Sequence, residues 1–110
     1  MNISFSMTTQ QIRDRTKTVT RRLGWRTLKS GTVLMAIEKG QGLKKGEHVV
    51  QLGKIQVKSV RFEILAAISP ADVAKEGFPG MTSLQFIIMF CEHNKCDSDD
   101  IVTRIEFEYL

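Results

Sequence analysis

Lys17, Thr20, Arg21 and Arg22 fall within one short stretch, RTKTVTRRLGW, that runs from residue 15 to residue 25. Lysine offers a compact charge and arginine a planar fork, and both suit phosphate. Crowded cations also disfavour the charged form of a lysine. A neutral lysine amine can act as a general base or a nucleophile, and Thr20 would place a hydroxyl three residues away. The same residues also fit a solvated surface strand paired with the acids of the C-terminal strand. Successive side chains of an extended segment face opposite ways, so Lys17 and Thr20 converge only if the chain twists or bulges between them.

Other residues carry chemistry of their own. Glu76 sits in the last turn of a short helix, just before Gly77. The helix dipole disfavours a carboxylate there, which points to pairing with a lysine or to handling a proton; a solvated helix end is the plainer alternative. Cys91, His93 and Cys96 are zinc-ligand types, with His48 as a distant fourth. The set lacks a C-x-x-C pair, and a helix-borne Cys91 reads first as a small core residue. No metal or other cofactor is expected. The glycines of GQGLKKG match neither the P-loop nor the dinucleotide pattern, which leaves a flexible basic loop whose Lys44 and Lys45 can touch a backbone phosphate. Trp25, with Phe78 as a companion, can stack a base, although the single tryptophan of a small domain usually belongs to its core.

These residues need a scaffold. Asn2–Ser6 reads as a first strand, and Thr8 with Gln11 matches a capping box that opens a short helix to about Arg15. Thr32–Glu38 reads as a buried strand, Lys39–Gly46 as an exposed loop and His48–Leu52 as a further strand. The alternation in Ile55–Leu65 slips near Ser59, which predicts a bulge. Ser69-Pro70-Ala71-Asp72 starts a helix that stops at Gly77, and Thr82 caps another. Residues 102–109 alternate as a half-buried antiparallel strand, with Thr103, Ile105, Phe107 and Tyr109 on one face. The expected build is one α+β domain over residues 1–110, a small, curved or barrel-like antiparallel sheet with two or three short helices at its edge.

With 110 residues and 42% hydrophobic content, the chain can bury a core without disulfides or metal. No apolar run is long enough for a membrane span. The first residues do not resemble a secretory signal, and two cysteines make no disulfide framework, so a cytoplasmic location is the default. The net charge of +4 is unevenly spread: Arg13 to Lys29 is basic apart from Asp14, whereas Cys91 to Leu110 is acidic. That asymmetry points to an anionic partner for the first third, nucleic acid foremost; a basic surface that merely keeps the protein soluble is the plainer alternative.

The order of elements, with TKTVTRR, GTVLMAIEKG, PADVAKEGF and TRIEFEYL, resembles the ASCH domains, small relatives of the PUA RNA-binding fold. Their signature, Gly-x-Lys with an arginine five residues after the lysine, is matched at Lys17 and Arg22; Arg15 stands where glycine is expected. The chain is also similar to small proteins of phages and prophages. The resemblance implies a PUA-like β-barrel whose cleft faces RNA or a modified nucleoside or nucleotide. Some small ASCH proteins are amidohydrolases that remove the acetyl group from acetylated cytidine nucleosides, using a lysine, a threonine three residues on and a helix-borne glutamate. That set falls on Lys17, Thr20 and Glu76, with Arg15, Arg21, Arg22, Trp25, Lys44 and Lys45 left to hold phosphate or RNA. Other members cut RNA or only bind it. The cutting reading is the least favoured, because His48 and His93 lie outside these motifs.

Overall fold

The computed structural model describes all 110 residues. Five strands form one sheet: β1 (Asn2–Ser4), β2 (Val19–Arg22), β3 (Val33–Ile37), β4 (Gln51–Ile64) and β5 (Ile101–Tyr109), in the order β1-β3-β4-β5-β2. The α+β class stands, but the sheet is mixed and open, not a closed antiparallel barrel. β1 runs parallel to β3, and all other pairs are antiparallel. The two edge strands are not laddered to each other. Arg22 spans them instead, donating from Nη2 to the Ser4 carbonyl at 2.5 Å, with its guanidinium 4.9 Å from the centre of the Phe5 ring.

Three helices complete the fold: α1 (Thr9–Arg13), α2 (Pro70–Lys75) and α3 (Ser83–Asn94). Ser69 caps α2 by accepting from the Asp72 amide, and Thr82 makes a reciprocal capping box with Gln85. The box expected at Thr8 is absent. Gln11 donates to the Gly77 carbonyl instead, which ties α1 to the end of α2. No helix is long and apolar enough to cross a membrane.

The expected bulge falls between Val57 and Ser59, where the β4–β5 register shifts. It bends a single 14-residue strand, which takes in residues 55–64 of the strand expected at 55–65 but only Gln51 and Leu52 of the one expected at 48–52; residues 48–50 are not in a strand. The bend gives the sheet two cores. Ile3, Phe5, Leu34, Ile55, Ile105 and Phe107 fill one, and Leu65, Val73, Phe86, Phe90 and Val102 fill the other beneath α2 and α3. β5 therefore departs from simple half-burial: Val102, Thr103, Arg104 and Ile105 are all buried. α2 and α3 roof the face that sequence alternation assigns to solvent.

Candidate active site

A cleft of about 120 Å³ opens where the start of β2 meets the end of α2 and the face of α3. Lys17, Thr20, Arg21, Arg22 and Glu76 line one wall; Phe78, Phe86, Met89 and Phe90 line the other. The aromatic wall keeps water away from the charged one, which strengthens each electrostatic contact.

Lys17 reaches the cleft from outside the regular strand. Three hydrogen bonds fix its segment: the Thr18 amide donates to the Lys75 carbonyl, the Phe107 amide to the Thr18 carbonyl, and the Tyr109 hydroxyl to the Lys17 carbonyl. Strand alternation begins only at Val19, so it does not oppose the placement of Lys17 and Thr20 in one cleft. Arg15, where the signature has glycine, has φ +60°. That is the left-handed backbone that glycine adopts freely and other residues adopt at a cost. The turn is kept without its usual residue, and the Arg15 guanidinium lies 5.6 Å from the Tyr109 ring centre.

Glu76 is the C-cap of α2. Its Oε1 lies 2.8 Å from Lys17 Nζ, which also donates to the Glu76 carbonyl at 2.8 Å, and Oε2 accepts from Arg21 Nη1 at 3.1 Å. The Lys17 and Glu76 side chains are only 3% and 4% exposed, so the pair is held almost out of water. Burial pushes the Lys17 amine below the ordinary lysine range. Glu76 opposes that shift, and the charges of Arg22 and Arg21 reinforce it.

Arg21 does not present its charge to the cleft as a free anion site. Its terminal nitrogens are held by Glu63, Asp72 and Glu76, and only the buried Nε lacks a partner. Asp72 in turn binds Arg104, from Nε at 2.6 Å and from Nη2 at 3.1 Å. Lys17, Arg21 and Arg104 thus face Glu63, Asp72 and Glu76 in one network. Arg21's carboxylate partners come from β4 and α2 instead of the C-terminal strand. Arg22 is the more open cation. It donates from Nε to the Thr20 hydroxyl at 3.1 Å and from Nη2 to Ser4, which leaves Nη1 for a ligand. Burial lowers the Arg22 guanidinium to about 10 against the pull of Glu76, and it stays protonated at neutral pH.

The remaining expected residues scatter. Trp25 packs against the main core and lines a groove that adjoins the cleft. Lys44 and Lys45 are exposed in the loop before β4, and Arg15 is exposed beside Tyr109; none of the three lines the cleft. Cys91 and Cys96 lie with sulfurs 3.9 Å apart, and no group of His, Cys, Asp or Glu side chains is placed to hold a metal ion. Burial and the Cys91 thiol beside it push the Cys96 thiol up to about 11. His93 and Asn94 line the cleft, whereas the sequence reading sets His93 apart from the site. The signal was available: His93 falls one turn beyond Met89 and two turns beyond Phe86 along α3, on the face those residues give to the cleft.

Gly77 fixes the turn that presents Glu76. Its φ is +103°, and an added Cβ would lie 2.8 Å from Gln11 Cγ. Gly77→Ala should therefore lower stability by about 1–3 kcal/mol, read as a lower urea midpoint. An unchanged midpoint would remove this turn from the list of features that hold Glu76.

No family model and no curated protein matches the sequence. Solved structures do match in fold. The hypothetical protein PH0355 superposes with a TM-score of 0.67 at 16% identity, over 97% of this chain and 95% of that one. Protein EF3133 of Enterococcus faecalis, assigned to family model DUF984, gives 0.65 at 16% identity over 93% of this chain. This chain spans 66% of that protein's length, just under two thirds. An ASCH domain from Lactobacillus crispatus gives 0.57 at 14% identity, over 92% of this chain and 69% of that one. The fold is thus the one seen in ASCH-domain structures, as the sequence motifs imply.

Proposed function

We propose that the cleft is an amidohydrolase site for an acetylated pyrimidine nucleoside or nucleotide. The observation that supports this reading is the shared placement of Lys17, Thr20 and Glu76 in one small cleft, with the lysine and the glutamate in direct contact and nearly dry. In this mechanism neutral Lys17 takes the proton of Thr20, and Thr20 Oγ bonds to the acetyl carbon. The carbon–nitrogen bond then breaks as the leaving amine takes a proton relayed by Lys17 and Glu76. Water, activated by the same lysine, attacks the acyl-threonine, releases acetate and restores the hydroxyl. The base form of Lys17 is needed, so the rate should rise with pH and level off below the ordinary lysine range.

The direct test is release of acetate from acetylcytidine by the wild-type protein in low and high salt. Turnover that persists in high salt supports a small-molecule enzyme. A second reading, an RNA-binding module, rests on the basic segment and on the aromatic wall of the cleft. It predicts no acetate release and an affinity for RNA that falls steeply as salt rises. That outcome would replace the hydrolase reading.

A further inference from the structure

The cleft does not end at Arg22. A second groove of about 590 Å³ shares Ser4, Ser6 and Arg22 with it and continues past Asn2, Lys39 and Gln41 to Trp25. The groove differs from the cleft in charge. Its lining includes Arg22 and Lys39 but no carboxylate, whereas the cleft contains Glu76. Neutral donors surround the two cations, and the only tryptophan forms part of the wall.

The backbone at that tryptophan is independently unusual. Gly24 and Trp25 have φ +82° and +55°, two left-handed residues in succession. Glycine takes this conformation freely, but for a bulky residue it costs about 1–2 kcal/mol. The turn is pinned by the Thr103 hydroxyl, which donates to the Gly24 carbonyl at 2.5 Å. It leaves one side of Trp25 on the main core and another on the groove. A regular continuation of β2 would not require this strain, and strained residues cluster at ligand sites.

We propose that the groove binds the phosphorylated sugar of the ligand whose base occupies the cleft. Arg22 and Lys39 hold the phosphate, Asn2, Ser6 and Gln41 supply neutral hydrogen bonds, and Trp25 packs on the ribose. The placement of the base rests on the reading given under Proposed function; the phosphate site can be tested without it. Two cations and an apolar plate in a groove whose lining includes no carboxylate match a sugar phosphate, and the shared Arg22 makes the two cavities one continuous site.

Trp25 is the sole tryptophan, so its fluorescence reports on the groove directly. Ribose and ribose 5-phosphate are titrated into the wild-type protein and into Lys39→Ala. Ribose 5-phosphate should bind roughly tenfold more tightly than ribose, and most of that advantage should vanish in the variant and at high salt. Equal affinities, or an advantage that Lys39→Ala leaves intact, would overturn the proposal. Cytidine, its 5′-monophosphate and a short RNA then separate the sources. A Lys39-dependent gain for the mononucleotide assigns the groove to free nucleotides; a gain seen only with the RNA assigns it to a strand, and either sustains a phosphate site. Absence of acetylcytidine hydrolysis by the wild type would sink the hydrolase reading and leave the ribose 5-phosphate result standing.

Discussion

Replacing Lys17 with alanine is expected to lower kcat/KM for acetylcytidine by roughly a thousandfold while the protein remains folded. The two halves of that expectation have different causes. Activity falls because no other amine makes the contact that Lys17 makes with Glu76. The fold survives because Glu76 keeps its bond to Arg21 and is not left as an isolated buried charge. The stability loss should be about 1–3 kcal/mol, the cost of a charged hydrogen bond removed from a site that retains another. Lys17→Arg separates charge from proton transfer. It restores the cation beside Glu76, but a guanidinium does not release its proton at neutral pH, so the variant should be stable and still inactive. Full activity in Lys17→Arg would reduce the lysine to a fixed charge, and full activity in Lys17→Ala would remove it from the reaction.

The parts of this site that the sequence discloses are those written in local chemistry. Ser69 and Thr82 cap α2 and α3 as their residue types require, and the slip in alternation near Ser59 marks the bulge of β4. Glu76, placed where a helix dipole disfavours it, has Lys17 and Arg21 as its partners. What depends on distant pairing is not legible. Asp72 reads as a good first-turn acid for α2, yet its carboxylate serves Arg21 and Arg104, which lie 51 and 32 residues away. Arg104 reads as a solvent-facing residue of β5 until α2 brings Asp72 over it. Gln11 could have capped α1, but the Gly77 carbonyl offers it a tertiary partner. The open sheet has the same origin: no local signal makes β1 pair parallel to β3, or has Arg22 bridge the two edges.

That long-range network makes Asp72 the residue whose loss should unsettle the fold most. Its side chain is 8% exposed, and its two oxygens accept from Arg21 and Arg104. In Asp72→Ala, Arg21 would keep Glu63 and Glu76, but Arg104 would be left with Glu106 at 3.8 Å. A buried cation stripped of its main partner costs about 3–5 kcal/mol, which in a domain of this size should lower Tm by about 15 °C or more. The acid limb provides the second readout. The bonds from Arg104, and then those from Arg21, hold the Asp72 carboxyl well below the usual carboxylate range. A carboxylate with a depressed folded-state value stabilises the protein fully above its unfolded value, about pH 3.9, and ceases to do so as pH falls through the folded one. The stability gap between wild type and Asp72→Asn should therefore be constant from neutral pH to about pH 5 and shrink below pH 4. A gap that stays level down to pH 2, or a Tm change of only about a degree in Asp72→Ala, would mean that Arg104 finds water or another acceptor. Asp72 would then be a helix-start acid and no more.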